Sequence, residues 1–454
     1  MIKRIQKLPS WLGKSADHRA IFAIALPMII SNIAAPLLGL VDTAIIGHLP
    51  DTIYLSAVAL GAMVVSFIYL LAIFLRMTTT AEIAHAFGAE NQRLAQRVIV
   101  HGVTIAMLLG VILLIMRPWL IELAWLVIVP EPELQHYATQ YISIRLWAAP
   151  AALINLLVLG ALLGRQQSRL AMTLVIFTNA VNVIADVVLI IGLEMNVQGA
   201  AWASVLAEVS TAALGLWFIR DLLPKPSYWR ITPAYFKQFA AMNRDVFIRS
   251  LLLQLCMAVM TGYAARFGAV VVAANAVLMQ FLMLISLGLD GVAYAVEALL
   301  GAARGRRDVS KIRYWMRLTL FWSGVFAVAY CIVFGLAGTQ IIGLLTDLDE
   351  VIHVAERYLP WLILMPLFGH WSYYFDGVYI GLGLTKAMRN TMAISVLGVF
   401  VPVWLSSQWW LNENNANHGL WLALSLFLLA RGASQWLYLR YKGLTLLVQD
   451  HPSK

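Results

Sequence analysis

Charge is scarce in this sequence. Of its 454 residues, 12% are Asp, Glu, Lys or Arg, against roughly 25% in soluble domains. With 61% hydrophobic residues and a mean hydropathy of +0.80, the composition excludes water as the main solvent of the chain. Cysteine is nearly missing as well. Cys256 and Cys331 fall in separate apolar runs, which excludes a disulfide framework, a cysteine metal cluster and dithiol chemistry. No GxxxxGK(S/T) loop is present to cradle phosphates, so ATP is not the direct energy source, and neither HExxH nor CxxC occurs. The histidines His48, His85, His353, His370 and His418 are scattered along the chain and read as interfacial or satisfied groups. The net charge of +9 forms no continuous basic face, which excludes nucleic acid as a partner.

What the sequence has instead is long apolar runs. About 20 such residues cross roughly 30 Å of hydrocarbon, and lipid forbids open strand edges, so each run reads as a helix. The runs fall near 21–46, 54–79, 96–116, 137–163, 169–193 and 198–220, and then near 244–266, 270–298, 313–335, 354–381, 388–411 and 417–440. With short loops they use nearly the whole chain and leave no room for a sizeable soluble domain.

The leader MIKRIQKLPSWLGKSADHRA is basic and polar, and the first apolar run is too long for a cleavable signal core, so residues 1–20 are expected to stay cytoplasmic. Further basic residues gather at Arg93 and Arg97, Arg165 and Arg169, the 220–249 segment, Arg304 to Arg317, Lys386 and Arg389, and the tail. The alternate loops carry Asp51, Glu131, Glu133, Glu194, Asp347, Asp349, Glu350 and Glu413. Short basic loops stay on the cytoplasmic side. Both termini are therefore expected there, in a multi-pass bacterial inner-membrane protein.

A shift of 217 positions aligns LSAVALGAM at 55 with VAANAVLMQ at 272 and carries Gly88 onto Gly305, Tyr141 onto Tyr358, Gly160 onto Gly377, Gly164 onto Gly381 and Arg169 onto Lys386. The shift spans six helices, so each copy starts on the same side and the repeats are parallel, related by an axis along the membrane normal. The expected fold is all-α: twelve transmembrane helices in two six-helix lobes facing a central cleft. The expected divisions are a leader over 1–20, a first lobe over 21–220, a cytoplasmic linker over 221–243, a second lobe over 244–440 and a cytoplasmic tail over 441–454.

An ionisable group at the membrane centre costs about 2.5 to 3.5 kcal/mol, so each one inside a span is a functional candidate. Asp42 and Asp186 both fall in the outer half of the first lobe, near the ends of spans 1 and 5. Asn182 and Asn179 precede Asp186 by four and seven residues and share its helix face, although a stripe of asparagines is also what an interhelical hydrogen bond requires. Two desolvated carboxylates at one depth favour retention of a proton or a sodium ion near neutral pH. The repeat carries Asp42 onto Val259 and Asp186 onto 403–406, where no acid stands. Pro27 and Pro36 remove backbone donors within span 1, giving either a hinge below Asp42 or a static kink. In the second lobe Asp290 lies nearest mid-span, with Glu297, Asp376 and His370 as further polar groups. Glu208, Arg76, Arg145 and Arg431 also fall within runs and are expected to pair between helices or to snorkel.

The strings LGLVDTAIIGHL in span 1, NAVNVIADVVL in span 5 and LDGVAYAVEALLGAARGRRD at the end of span 8 resemble the multidrug and toxic compound extrusion (MATE) family, in its DinF-like bacterial branch. The resemblance covers nearly the whole length. It implies two six-helix lobes in a V and export of organic compounds in exchange for protons or sodium ions. It also implies a site formed by Asp42 with Asp186 and Asn182, bending of span 1 at Pro27, and neighbouring polar positions at Asn155 and Ser204. The NorM-like branch uses acids in spans 7 and 10. Span 7 here offers Gln254 and no acid, while span 10 keeps Asp376, which weakens the case for a second-lobe cation site.

The resulting expectation is a secondary antiporter, not an enzyme. Its substrates are amphipathic, often cationic small molecules, for which aromatic and methionine side chains are suited. Beyond the coupling ion, H+ or Na+ at Asp42 and Asp186, no cofactor or metal is expected. Membrane lipids surround the chain, and a monomer is the expected working unit. One rival is a lipid-linked glycan flippase of the same wider superfamily, which predicts a cationic cleft for pyrophosphate. Another is a membrane-embedded enzyme using Asp290 or His370, for which no accompanying motif is present.

Overall fold

A computed structural model of the chain describes residues 14–47, 51–224, 231–410 and 416–443. Among these residues, twelve helices are long and apolar enough to cross a membrane. They are α1 (Ser15–Ile46), α2 (Thr52–Gly88), α3 (Gln92–Ile128), α4 (Pro132–Gly164), α5 (Ser168–Gly192), α6 (Asn196–Phe218), α7 (Pro233–Phe267), α8 (Ala269–Gly305), α9 (Val309–Leu345), α10 (Asp349–Gly381), α11 (Thr385–Ser407) and α12 (Ala416–Lys442). The all-helical class and the span count agree with the apolar pattern. The observed helices extend beyond many of the runs, because polar turns continue the backbone hydrogen bonding past the apolar stretch. α7, for instance, begins at Pro233, inside the segment expected as linker; residues 225–230 of that segment lie outside the described residues.

Local chemistry sets the helix ends and breaks. The Asp51 side chain accepts from the Ile53 N–H at 2.9 Å to start α2, and Asn91 accepts from the Leu94 N–H at 3.0 Å to start α3. Pro118 lies inside α3, and Pro360 and Pro366 lie inside α10. α4 narrows to a 3₁₀ turn over Leu146–Ala148. In α5 the backbone widens to a π-helix over Val187–Gly192, directly after Asp186. π-segments recur at functional sites because the extra residue re-aims the side chains beside it.

The chain divides into two compact units, one of residues 27–247 and the other of residues 1–26 with 248–454. Both crossings therefore fall inside helices, between Leu26 and Pro27 of α1 and between Phe247 and Ile248 of α7. The first unit has a core in which Ile121, Trp125, Tyr141, Ile142 and Leu146 pack with Ile190 and Val197. The second is built around Phe281, Phe334, Tyr358, Leu362, Trp421 and Phe427. Within it, the side chains of Asn275 and Asn417 bond each other at 2.8 and 3.0 Å, and Trp421 Nε1 donates to Asn275 Oδ1 at 3.0 Å.

The same close helix crossing occurs in both units. A Cβ placed on Gly160 of α4 would stand 2.5 Å from the Arg76 carbonyl oxygen of α2, and one on Gly377 of α10 would stand 2.7 Å from the Ala293 carbonyl oxygen of α8. Both the glycines and the carbonyls they face are separated by the 217-residue shift. Small residues let membrane helices approach until backbones touch. The repeat is thus a repeat of packing, and the glycines mark its tightest contact.

Candidate functional site

Five helices of the first unit bring polar groups together around Asp42. Asp42 is half-buried on α1, and Asp186 on α5 is 1% exposed. Their carboxyl groups are close neighbours that act on each other electrostatically. Two carboxyls attract each other only when a proton or a cation lies between them. Asn182, one turn before Asp186, bridges outward. Its amide is satisfied on both sides when Nδ2 donates to Asp42 Oδ1 at 3.3 Å and Oδ1 accepts from the Ser204 N–H at 3.3 Å. Asn179 Nδ2 donates to the Ala34 carbonyl of α1 at 3.0 Å, so two successive polar turns of α5 clasp α1. The Ser31 hydroxyl donates to the Pro27 carbonyl at 2.8 Å. Pro27 and Pro36 each lack the N–H that a helix interior needs.

A second polar layer adjoins the first. Asn155 of α4 donates through Nδ2 to Glu208 Oε2 at 2.6 Å and to the Glu208 carbonyl at 3.0 Å. Glu208 stands one turn after Ser204 on α6, on the same face. Arg145 of α4 completes this layer, its guanidinium carbon 5.9 Å from the centroid of the Tyr69 ring. The carboxylate oxygens of Asp42 and Asp186 suit a hard cation such as Na+ or a proton. Among the described residues, no group of three or more His, Cys, Asp or Glu is arranged to hold a metal ion.

The second-unit candidates are arranged differently. Asp376 of α10 is engaged through Oδ2 by both Arg249 of α7 and Arg431 of α12, and Gln435 Nε2 donates to its Oδ1 at 3.3 Å. The protein's own cations thus occupy this acid. Asp290 is half-buried on α8 and interacts electrostatically with Arg249 and Tyr373. Gln254 is half-buried on α7, just beyond Arg249. His370 Nδ1 lies 3.3 Å from the Ser323 hydroxyl, a local pair within the second unit.

Comparison with known proteins fits this architecture. The MatE family model matches residues 27–188 and again 246–405, once in each repeat. The chain belongs to the MATE family. It is 42% identical to the DNA damage-inducible protein F of Escherichia coli K12 over 428 residues, covering 92% of this chain and 91% of that one. It is 22% identical to the multidrug export protein MepA of Staphylococcus saprophyticus, over 87% of this chain and 88% of the relative. The fold matches a structure described as the outward-facing conformation of a multidrug resistance MATE family transporter, with a TM-score of 0.84, 21% identity, and coverage of 95% of this chain and 97% of that one. MATE membership makes the chain a multi-pass membrane transporter, not an enzyme.

Sequence reasoning singled out both acids, both asparagines, Asn155 and Ser204, and the structure brings Asp42, Asp186, Asn182 and Ser204 into one cluster with Asn155 in the adjoining layer. It missed Arg249, which had been counted with the basic linker. The available signal was its position between the apolar residues Val246, Phe247 and Ile248 and, after Ser250, the run Leu251, Leu252 and Leu253.

Proposed function

We propose that this MATE protein is an efflux antiporter that exports amphipathic, often cationic, organic compounds and is reset by inward movement of protons or sodium ions. Both termini face the cytoplasm in this reading, as the basic loops require. The carrying observation is the juxtaposition of Asp42 and Asp186 inside the first unit, with Asn182 bonded to Asp42. Such a site is stable when it holds a cation and repulsive when it is empty. Occupancy therefore biases the unit between two conformations, and a ligand that discriminates between conformations can drive a cycle. Pro27, where the chain passes from one compact unit to the other, is the bending point of α1.

The second unit takes no part in coupling in this reading, because Asp376 is already neutralised by two guanidinium groups. The driving force is ample: a membrane potential contributes about 2.3 kcal/mol per charge per 100 mV. The reading is tested with purified protein in proteoliposomes loaded with a fluorescent cationic dye. Dye movement against its gradient is expected when a proton or sodium gradient is imposed and should stop when an ionophore collapses that gradient. Dye movement indifferent to both gradients would sink the antiport reading.

A further inference from the structure

Arg145 borders the proposed coupling site, and the cycle described above gives it no task. It sits on α4 where the helix tightens into the 3₁₀ turn Leu146–Ala148, and the Tyr69 hydroxyl donates to its carbonyl at 3.4 Å. The groups acting on its guanidinium are Tyr141 from its own helix, Tyr69 from α2 and Glu208 from α6. Arg145 also lies within electrostatic reach of Asp42 on α1, and Asp186 of α5 stands beside Asp42. The two layers join through α6. Ser204 meets Asn182 and hence Asp42, and one turn later Glu208 meets Asn155 and lies within electrostatic reach of Arg145.

Unmet hydrogen-bonding capacity is divided across this cluster in complementary form. Nε and Nη1 of Arg145 are buried donors without an acceptor, and Oδ2 of Asp186 is a buried acceptor without a donor. Buried polar atoms left unmade are costly, and a native structure tolerates them where another state satisfies them. A guanidinium has five N–H donors, enough to hold one carboxylate while reaching for another. Glu208 is held separately by Asn155, so Arg145 can turn toward the acid pair without abandoning a lone glutamate.

We propose that Arg145 is a tethered counter-cation and positioning residue, which shifts onto Asp42 and Asp186 when the transported cation leaves and competes with the next cation for them. The proposal rests on the reading of Asp42 and Asp186 as the coupling site. In the loaded state the proton or sodium ion neutralises the pair and Arg145 stays with Glu208 and the tyrosines. In the empty state the guanidinium supplies the missing positive charge, which prevents the two carboxylates from repelling each other. It also keeps cation affinity low enough for release.

The test is the pH dependence of gradient-driven dye export in proteoliposomes, in sodium-free medium, for the parent, Arg145→Gln, Arg145→Lys and Glu208→Gln. Removing the competitor lets the acids hold a proton to higher pH, so Arg145→Gln is expected to move the midpoint upward by on the order of one pH unit, a tenfold change in proton affinity. Arg145→Lys should return it toward the parent value. Glu208→Gln frees the guanidinium for the acids and should move the midpoint downward. A merely structural role for Arg145 would lower the yield of folded protein without moving the midpoint. If Arg145→Gln does not fold, Glu208→Gln decides: an unchanged midpoint in a folded, active Glu208→Gln protein overturns the proposal, as does an unchanged midpoint in Arg145→Gln. Asp42→Asn separates the two levels. Parent-like pH dependence in Asp42→Asn removes the coupling-site reading itself, whereas loss of coupling there with unmoved midpoints in the other variants removes Arg145 alone.

Discussion

Asn182 is the residue whose chemistry ties the first-unit site together. Its amide meets Asp42 on one side and Ser204 on the other, and hydrogen bonds to charged groups contribute about 1.5 to 3 kcal/mol. Asn182→Ala should therefore slow gradient-driven export by about tenfold or more while leaving the protein folded; full activity in Asn182→Ala would show that the amide is a bystander. Asp376 is the contrasting case. Asp376→Asn leaves Arg249 and Arg431 buried without their shared carboxylate, and breaking such a cluster costs about 3 to 5 kcal/mol. A marked fall in the thermal unfolding temperature of detergent-purified Asp376→Asn is expected, and an unchanged temperature would contradict the ion-pair account. Asp42 and Asp186 were legible in the sequence because an acid inside an apolar run is expensive and stands out. Arg431 was legible too, as an arginine inside a run that is expected to pair between helices, but Arg249 was not, because it resembles the basic residues that terminate spans, and only tertiary packing turns it inward.

At the scale of the helix, the glycines marked by the repeat have a packing role. Gly160→Ala forces its Cβ against the Arg76 carbonyl oxygen at 2.5 Å. Backbone cannot give way as a side chain can, so the substitution should destabilise by about 1 to 3 kcal/mol. Gly324→Ala on α9 meets nothing within 4 Å and should be neutral or slightly stabilising, since alanine is the better helix former. Equal unfolding temperatures for Gly160→Ala and Gly324→Ala would refute the close crossing. The 217-residue shift was readable from sequence, and so was the existence of each long helix. The tightening of α4 at Leu146–Ala148 and the π-segment after Asp186 were not, because an apolar run looks the same whichever backbone hydrogen-bond pattern it adopts.

Across the whole molecule, two copies of one helical design carry different polar interiors. The first unit sets two acids side by side, while the second sets two guanidinium groups on one carboxylate. Duplication supplied the scaffold, and a few buried side chains divide the tasks. The central claim is that Asp42 couples cation entry to substrate export, and gradient-driven dye export by Asp42→Asn tests it most directly. Reconstituted at parent levels and given inward proton and sodium gradients together, Asp42→Asn is predicted to bind dye yet fail to move it uphill. Uphill export at the parent rate by Asp42→Asn would contradict the account.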